Sequence, residues 1–207
     1  MIEIGGKPIL WHLMKIYAQQ GYKEFIICLG YKGNIIKDYF LNFIYNNSDI
    51  TINTKENSTS FLKKQKNDEW IIHLVDTGLK TNTANRIKKI LPLIKDKEDF
   101  FMTYGDGLSD INLKNLIKIH KKEKKIATVT AVSPKARFGK LILKKNAVKD
   151  FKEKVEDNHS YINGGFFILN KKIEKYIDEK KNSMWEQEPM QKLTKSNQLS
   201  SYIHQGF

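Results

Sequence analysis

The apolar positions of this 207-residue chain switch repeatedly between helical and strand spacing. Ile9, Leu10, Leu13, Met14 and Tyr17 recur at helical spacing, so a helix is expected over Pro8–Gln20, with proline suited to its first turn and Gly21 to its cap. Glu24–Leu29 reads as a short apolar strand, and Gly30 and Gly33 bracket a turn into a second helix over Asn34–Ile44. The most polar stretch, Asn57–Asp68, is expected to be a loop or a hairpin tip. Trp70–Val75 follows as a strand, Thr83–Ile94 as a helix, and Phe100–Tyr104 as a strand ending at Gly105-Asp106-Gly107. A helix over Leu113–Lys122 and a strand over Ile126–Val132 complete the regular alternation.

Strands separated by helices of this length imply βαβ units, a parallel sheet, and helices on both faces. After Pro134 the pattern turns more β-like, with strands at Lys140–Lys144, Val148–Lys152 and Tyr161–Leu169. Two short helices, Lys171–Glu179 and Glu186–Thr194, and a final strand at Leu199–His204 follow. Neither a repeat nor a low-complexity linker is visible. The expectation is one α/β domain over residues 1–207 with a mixed, mostly parallel sheet.

Composition narrows the function classes. Hydrophobic residues at 40% and charged residues at 29% fit a globular chain. No apolar run reaches the roughly 20 residues of a spanning helix, and the first residues lack the pattern of a signal peptide, so a cytoplasmic protein without a membrane partner is expected. The lone Cys28 sits in an apolar run and reads as a buried small hydrophobe. A formal charge of +13 raises nucleic-acid binding. Against that, Arg86 and Arg137 are the only arginines, and the lysines are spread along the chain, so no nucleic-acid partner is expected.

In an open α/β sheet, ligands sit beyond the carboxyl ends of the parallel strands. Asp76-Thr77-Gly78, Gly105-Asp106-Gly107 and Asn163-Gly164-Gly165 are the polar clusters placed there or within a late strand. Asp106, held between two glycines, suits Mg²⁺ beside a triphosphate, although the same tripeptide also describes an ordinary turn. Thr81 to Arg86 opens a helix, where hydroxyls and amides cap the backbone or meet a phosphate. Arg86 gains nothing from the helix dipole in a first turn, which points to an anion nearby. Asn163-Gly164-Gly165 marks either a bulge or the close approach of a ligand. Glu153-Lys154 suits a sugar hydroxyl and a sugar phosphate, although as an isolated exposed pair it would contribute little. Trp185-Glu186-Gln187-Glu188-Pro189 pairs an aromatic face with carboxylates, which suits a sugar ring, and also reads as a helix start.

Taken in order, these segments resemble the sugar-phosphate nucleotidyltransferases, and among them the glucose-1-phosphate cytidylyltransferases. The resemblance runs through Glu3–His12, Gly30–Gly33, Val75–Gly78, Thr103–Gly107, Arg137–Gly139, Ile162–Phe167 and Trp185–Pro189. It implies a Rossmann-like nucleotidyltransferase fold, a homo-oligomer, and the conversion of CTP and glucose 1-phosphate into CDP-glucose and pyrophosphate with Mg²⁺. It also implies that Asp106 holds the metal, that Thr81, Arg86 and Gly105 line the nucleotide site, and that Glu153, Lys154, Asn163, Gly164 and Glu188 serve the sugar phosphate.

Departures from the family pattern accompany the resemblance. Ala84-Asn85 stands where a glycine pair is usual, and Val155 where a proline is usual. The chain starts after the glycine-rich loop and lysine of the family and stops before a second metal-binding aspartate, so a form truncated at both ends is expected. The alternatives carried from the sequence are a relative using another nucleotide or sugar phosphate, and a non-catalytic remnant.

Overall fold

The structure, a computed structural model, describes residues 2–62, 68–94, 99–134, 140–152 and 161–207. It divides into two compact units, Met1–Lys95 with Ile177–Pro189, and Asp96–Tyr176 with Met190–Phe207.

The first unit opens with a hairpin of β1 (Glu3–Ile4) and β2 (Lys7–Pro8), turned by Gly5 and Gly6 at positive φ. Helix α1 (Ile9–Gln19) buries Leu13, Met14 and Tyr17 on one stripe, and leads into β3 (Glu24–Leu29). The next helix is not continuous as expected: α2 (Gly33–Leu41) and α3 (Phe43–Asn46) are separated at Asn42. The Asn42 side-chain amide donates to the Asp38 carbonyl oxygen at 2.8 Å, sharing that acceptor with its own backbone N–H at 3.1 Å.

Strands β4 (Ile50–Asn53) and β5 (Ser58–Phe61) form an antiparallel hairpin, so the expected loop starting at Asn57 contains a strand. Nothing in its Ser58-Thr59-Ser60 run signals a core, and all four β5 residues are exposed. Asn53 shapes the turn by accepting from the Lys55 and Glu56 backbone N–H groups, each at 3.1 Å. Strand β6 (Ile71–Asp76) then pairs in parallel with β3, from Glu24 opposite Ile71 to Leu29 opposite Asp76. Helix α4 (Thr83–Ile90) buries Ala84, Asn85, Ile87 and Ile90, and tightens into a 3₁₀ turn at Leu91–Leu93, where Pro92 cannot continue the α-helical ladder. Apolar packing in this unit gathers around Trp70, stacked on Phe43 at 5.9 Å and edge-on to Phe25 at 5.8 Å.

The second unit contains β7 (Asp99–Thr103), α5 (Leu113–Glu123), β8 (Ala127–Val132), β9 (Lys140–Lys144), β10 (Ala147–Lys152), β11 (Ile162–Asn170), α6 (Glu188–Lys195) from Met190 onward, and β12 (Leu199–His204). Its main sheet has the order β12-β8-β11-β7, while β9 and β10 form a separate hairpin. Strand β11 runs antiparallel to both neighbours, and β12 runs parallel to β8, so β7, β8 and β12 share one direction. Residues Phe166 to Leu169 are all buried, as a central strand covered on both faces requires. Helix α5 is capped by Asn112, whose side chain accepts from the Asn115 N–H at 3.0 Å, and buries Leu113, Leu116 and His120 on one face. Residues 171–176 form a 3₁₀ turn rather than the expected helix to Glu179. No helix among the described residues is long and apolar enough to cross a membrane.

Candidate active site

Both units place polar residues at the carboxyl ends of parallel strands, where the α/β architecture positions ligands. In the first unit, β3 ends at Leu29-Gly30 and β6 at Asp76-Thr77-Gly78. Thr77 is fully buried and ties the two ends together. Its backbone N–H donates to the Leu29 carbonyl oxygen at 3.0 Å, and its hydroxyl donates to the same atom at 2.8 Å. Gly78 lies at φ +98, and a Cβ there would stand 2.8 Å from the Thr81 hydroxyl, so the turn requires glycine. Asp76 braces it by accepting from the Gly78 N–H at 2.9 Å.

Arg86 and Lys89 reach back from α4 to this turn. The Arg86 guanidinium donates to the Leu29 carbonyl oxygen at 2.7 Å and to the Thr77 hydroxyl oxygen. Lys89 donates to the Thr77 carbonyl oxygen at 2.8 Å and lies 3.4 Å from the half-buried Thr81 hydroxyl. Two cations therefore converge on one strand-end turn, and among the described residues neither has a carboxylate partner. Arg86 also sits directly beneath Gly30, where any Cβ would run into the guanidinium. Cys28, one residue before Leu29, has its thiol pushed up to about 11 by burial, an effect partly opposed by the Arg86 charge.

The departure at Ala84-Asn85 has a structural reason. Ala84 is fully buried, and Asn85, 8% exposed, holds the 178–183 segment. The Asn85 amide donates to the carbonyl oxygens of Asp178 and Glu179 at 3.3 and 3.4 Å, and its oxygen accepts from the Ser183 N–H at 3.1 Å. Capping by Asn82, considered from sequence, is absent; its side chain instead donates to the Asn182 carbonyl oxygen at 2.7 Å. Trp185 corrects a second expectation. It is fully buried, with its backbone N–H donating to the Thr83 hydroxyl at 2.7 Å, so its ring offers no open face to a sugar. Glu188 is half-buried, begins α6 two residues after the expected start at Glu186, and pairs with Lys181 at 3.2 Å.

In the second unit, β7 delivers Gly105 and Asp106 to the exposed end of the sheet. Asp106 makes no hydrogen bond or ion pair among the described residues. Nor does any group of three or more His, Cys, Asp or Glu there form a metal cage. A single unshared carboxylate between two glycines fits a hard cation that takes its remaining ligands from water and a phosphate chain. Asn163-Gly164-Gly165 lies at the same end of the sheet, and the register of β11 against β8 shifts between Asn163 and Phe167, so the bulge exists. Gly165 is at φ +79 with Tyr104 against it, and a Cβ on Gly164 would stand 3.0 Å from the Thr130 carbonyl oxygen. Asn163, exposed, accepts from the Gly165 N–H at 2.9 Å and donates to the Tyr104 hydroxyl at 3.3 Å. Glu153 and Lys154, together with Arg137–Gly139, lie outside the described residues.

Sequence reasoning missed Lys89, Tyr104 and a cluster after Asp106. There His204, 8% exposed at the end of β12, bonds Asp110 at 2.8 Å, and Ser109 donates to the Phe207 carbonyl oxygen at 2.6 Å. The His204 bond lowers the Asp110 carboxyl below its usual value. A Tyr before Gly-Asp-Gly was visible as a signal, whereas the pairing of residues 94 positions apart was not.

Comparison with known proteins places these features in context. A family model described as nucleotidyl transferase matches residues 1–206. A glucose-1-phosphate cytidylyltransferase of Salmonella typhimurium is 44% identical over 207 residues, covering 100% of this chain and 80% of that protein. A probable glucose-1-phosphate cytidylyltransferase of Bacillus subtilis is 42% identical over 204 residues, covering 99% and 79%. Among solved structures, HddC from Yersinia pseudotuberculosis superposes with a TM-score of 0.64 at 24% identity, over 100% of this chain and 81% of that one. A UDP-glucose pyrophosphorylase complexed with UDP-glucose gives 0.65 at 19%, over 100% and 82%. These two likenesses establish the fold.

Proposed function

This chain belongs to the nucleotidyl transferase family, and from that membership we propose that it forms CDP-glucose and pyrophosphate from CTP and glucose 1-phosphate. The observation that carries the choice of base and sugar is the identity to the Salmonella cytidylyltransferase, which runs the length of the chain. The alternative of another nucleotide or sugar phosphate is not better supported, since the guanylyltransferases that the chain also resembles are only 23–28% identical.

The reaction is an in-line displacement. A sugar-phosphate oxygen forms a bond to the α-phosphorus of CTP, the bond from that phosphorus to the α–β bridging oxygen breaks, and the electron pair leaves with pyrophosphate. No covalent enzyme intermediate is needed, so the residues act by positioning and by neutralising phosphate charge. On this reading Thr81, Arg86 and Gly105 serve the nucleotide. Asn163 and Gly164, with Glu153, Lys154 and Glu188, serve the sugar phosphate. Arg86 and Lys89 contribute fixed positive charge at a strand end, and Gly105, with open space at its Cβ position, lets backbone groups approach a ligand closely. Asp106 would hold a divalent ion, Mg²⁺ in our reading, which supplies charge neutralisation on the triphosphate. Both units then form one nucleotidyltransferase domain, consistent with a family match that runs unbroken from residue 1 to 206. A cytoplasmic homo-oligomer completes the proposal, with its mass in solution to be read by light scattering.

Asp106→Asn tests the chemistry. It keeps the shape of the side chain and removes its charge, so pyrophosphate release should fall by about 10²-fold or more while the melting temperature stays near wild type. An unchanged rate would remove Asp106 from the mechanism.

A further inference from the structure

We propose that the second unit carries another ligand site, distinct from the one around Asp106, that takes a small molecule bearing two or more phosphate groups. A cavity of about 770 Å³ opens at the end of the main sheet where β7 and β8 begin and β11 finishes. That is the end opposite Asp106, separated from it by the length of β7, roughly 16 Å at strand rise.

Five lysines converge on this cavity from two elements. Lys121, Lys124 and Lys125 come from the end of α5 and its cap, and Lys172 and Lys175 from the turn after β11. None of these five ammonium groups has an ion-pair or hydrogen-bond partner among the described residues. The negative end of the α5 dipole accounts for roughly half a unit charge of this excess. Lysines on one helix end would need nothing further. Convergence of a second element on the same cavity is what a solvated helix end does not explain, because like charges brought together repel.

The floor is built rather than accidental. His120, 5% exposed, bonds the buried Thr128 hydroxyl at 2.7 Å through Nδ1 and places Nε2 3.4 Å from Asp99. Asp99 also accepts from the Asn170 amide at 2.8 Å, and it is the one carboxylate among the described residues lining the cavity. Ser196 donates to the Tyr176 hydroxyl at 3.2 Å on the facing wall. A cationic rim over a hydroxyl and amide floor suits a ligand with phosphates at one end and hydroxyl groups at the other. The volume lies within the roughly 300–1,000 Å³ typical of small-molecule sites, and exceeds what a single inorganic phosphate fills.

Lysine acylation followed by mass spectrometry tests this on the intact chain, with inorganic triphosphate as the probe at about 150 mM salt, where exposed charges are screened beyond about 8 Å. Triphosphate should slow acylation of Lys121, Lys124, Lys125, Lys172 and Lys175 about tenfold, while Lys32 and Lys55 in the first unit react as before. The protection should persist in Asp106→Asn and disappear in the folded Lys121→Gln/Lys172→Gln double variant at Lys124, Lys125 and Lys175. Protection spread evenly over all lysines, or none in the cavity, would overturn the site. Duplex DNA that shields the same lysines as effectively as triphosphate would overturn the small-molecule assignment.

Discussion

The Arg86 guanidinium donates at 2.7 Å to the carbonyl oxygen of Leu29, 57 residues earlier in the chain. That bond, with the one to Thr77, makes a cation from α4 the clasp of two strand ends. A hydrogen bond to a charged group contributes about 1.5–3 kcal/mol, so Arg86→Met should lower the unfolding free energy by about 2–3 kcal/mol in urea titrations. Gly30→Ala should cost a comparable amount, about 1–3 kcal/mol, by pushing a methyl group into the guanidinium. In the Arg86→Met background the alanine has no guanidinium to displace, and most of its penalty should vanish. Strictly additive costs would mean that Gly30 is required for some other reason.

Asn85→Gly is expected to weaken this protein. Loss of the bonds to Asp178, Glu179 and Ser183, with about 1 kcal/mol for glycine in a helix, gives a destabilisation of about 2–3 kcal/mol. An unchanged denaturant midpoint would show that those bonds contribute nothing net.

Much of the architecture was legible because local chemistry and packing agree there. Glu24–Leu29 and Leu199–His204 fold as strands at the boundaries that their apolar runs imply, and Asn163-Gly164-Gly165 forms the bulge that glycines inside a strand signal. The failures share a different cause. Trp185 beside Glu186 looks like a sugar platform, but its ring is buried and its backbone N–H is tied to Thr83, 102 residues away. The helix is interrupted at Asn42, whose side-chain amide shares the Asp38 carbonyl oxygen with its own backbone N–H, a local detail that periodicity does not register. In the β4–β5 hairpin Ile50 and Ile52 alternate with polar residues over only four positions, and the Ser58-Thr59-Ser60 run of β5 is polar and exposed, so the pair lacks a sustained strand pattern. For the candidate site, residue types at strand ends were legible, while the partners that orient them, Lys89 and Tyr104, come from other elements.

Cys28 should be inert at neutral pH. Burial raises its thiol from 9.0 to about 11, leaving almost no thiolate for reaction near pH 8. Because the folded value lies above the unfolded one, its contribution to stability is complete below pH 9.0 and is lost as pH rises toward about 11. Rapid labelling of the native protein by iodoacetamide at pH 8, at the rate of the urea-unfolded chain, would contradict this.

Asp110 should give stability the opposite pH dependence. The hydrogen bond from His204 lowers its carboxyl below 3.8, so the contribution is present above that pH and is lost as pH falls through the depressed value. The difference in melting temperature between wild type and Asp110→Asn should therefore be present at pH 6 and shrink at acid pH. A difference that stays constant down to pH 2 would show that the carboxylate charge is not what the bond uses.

The most direct test is pyrophosphate release by the protein carrying this chain, measured with Mg²⁺ and glucose 1-phosphate against each of CTP, UTP, GTP and dTTP. Release with CTP far above the other three, with CDP-glucose as the product, is the predicted result. Turnover with a different nucleotide, or with none of the four, would contradict the assignment of CTP and glucose 1-phosphate.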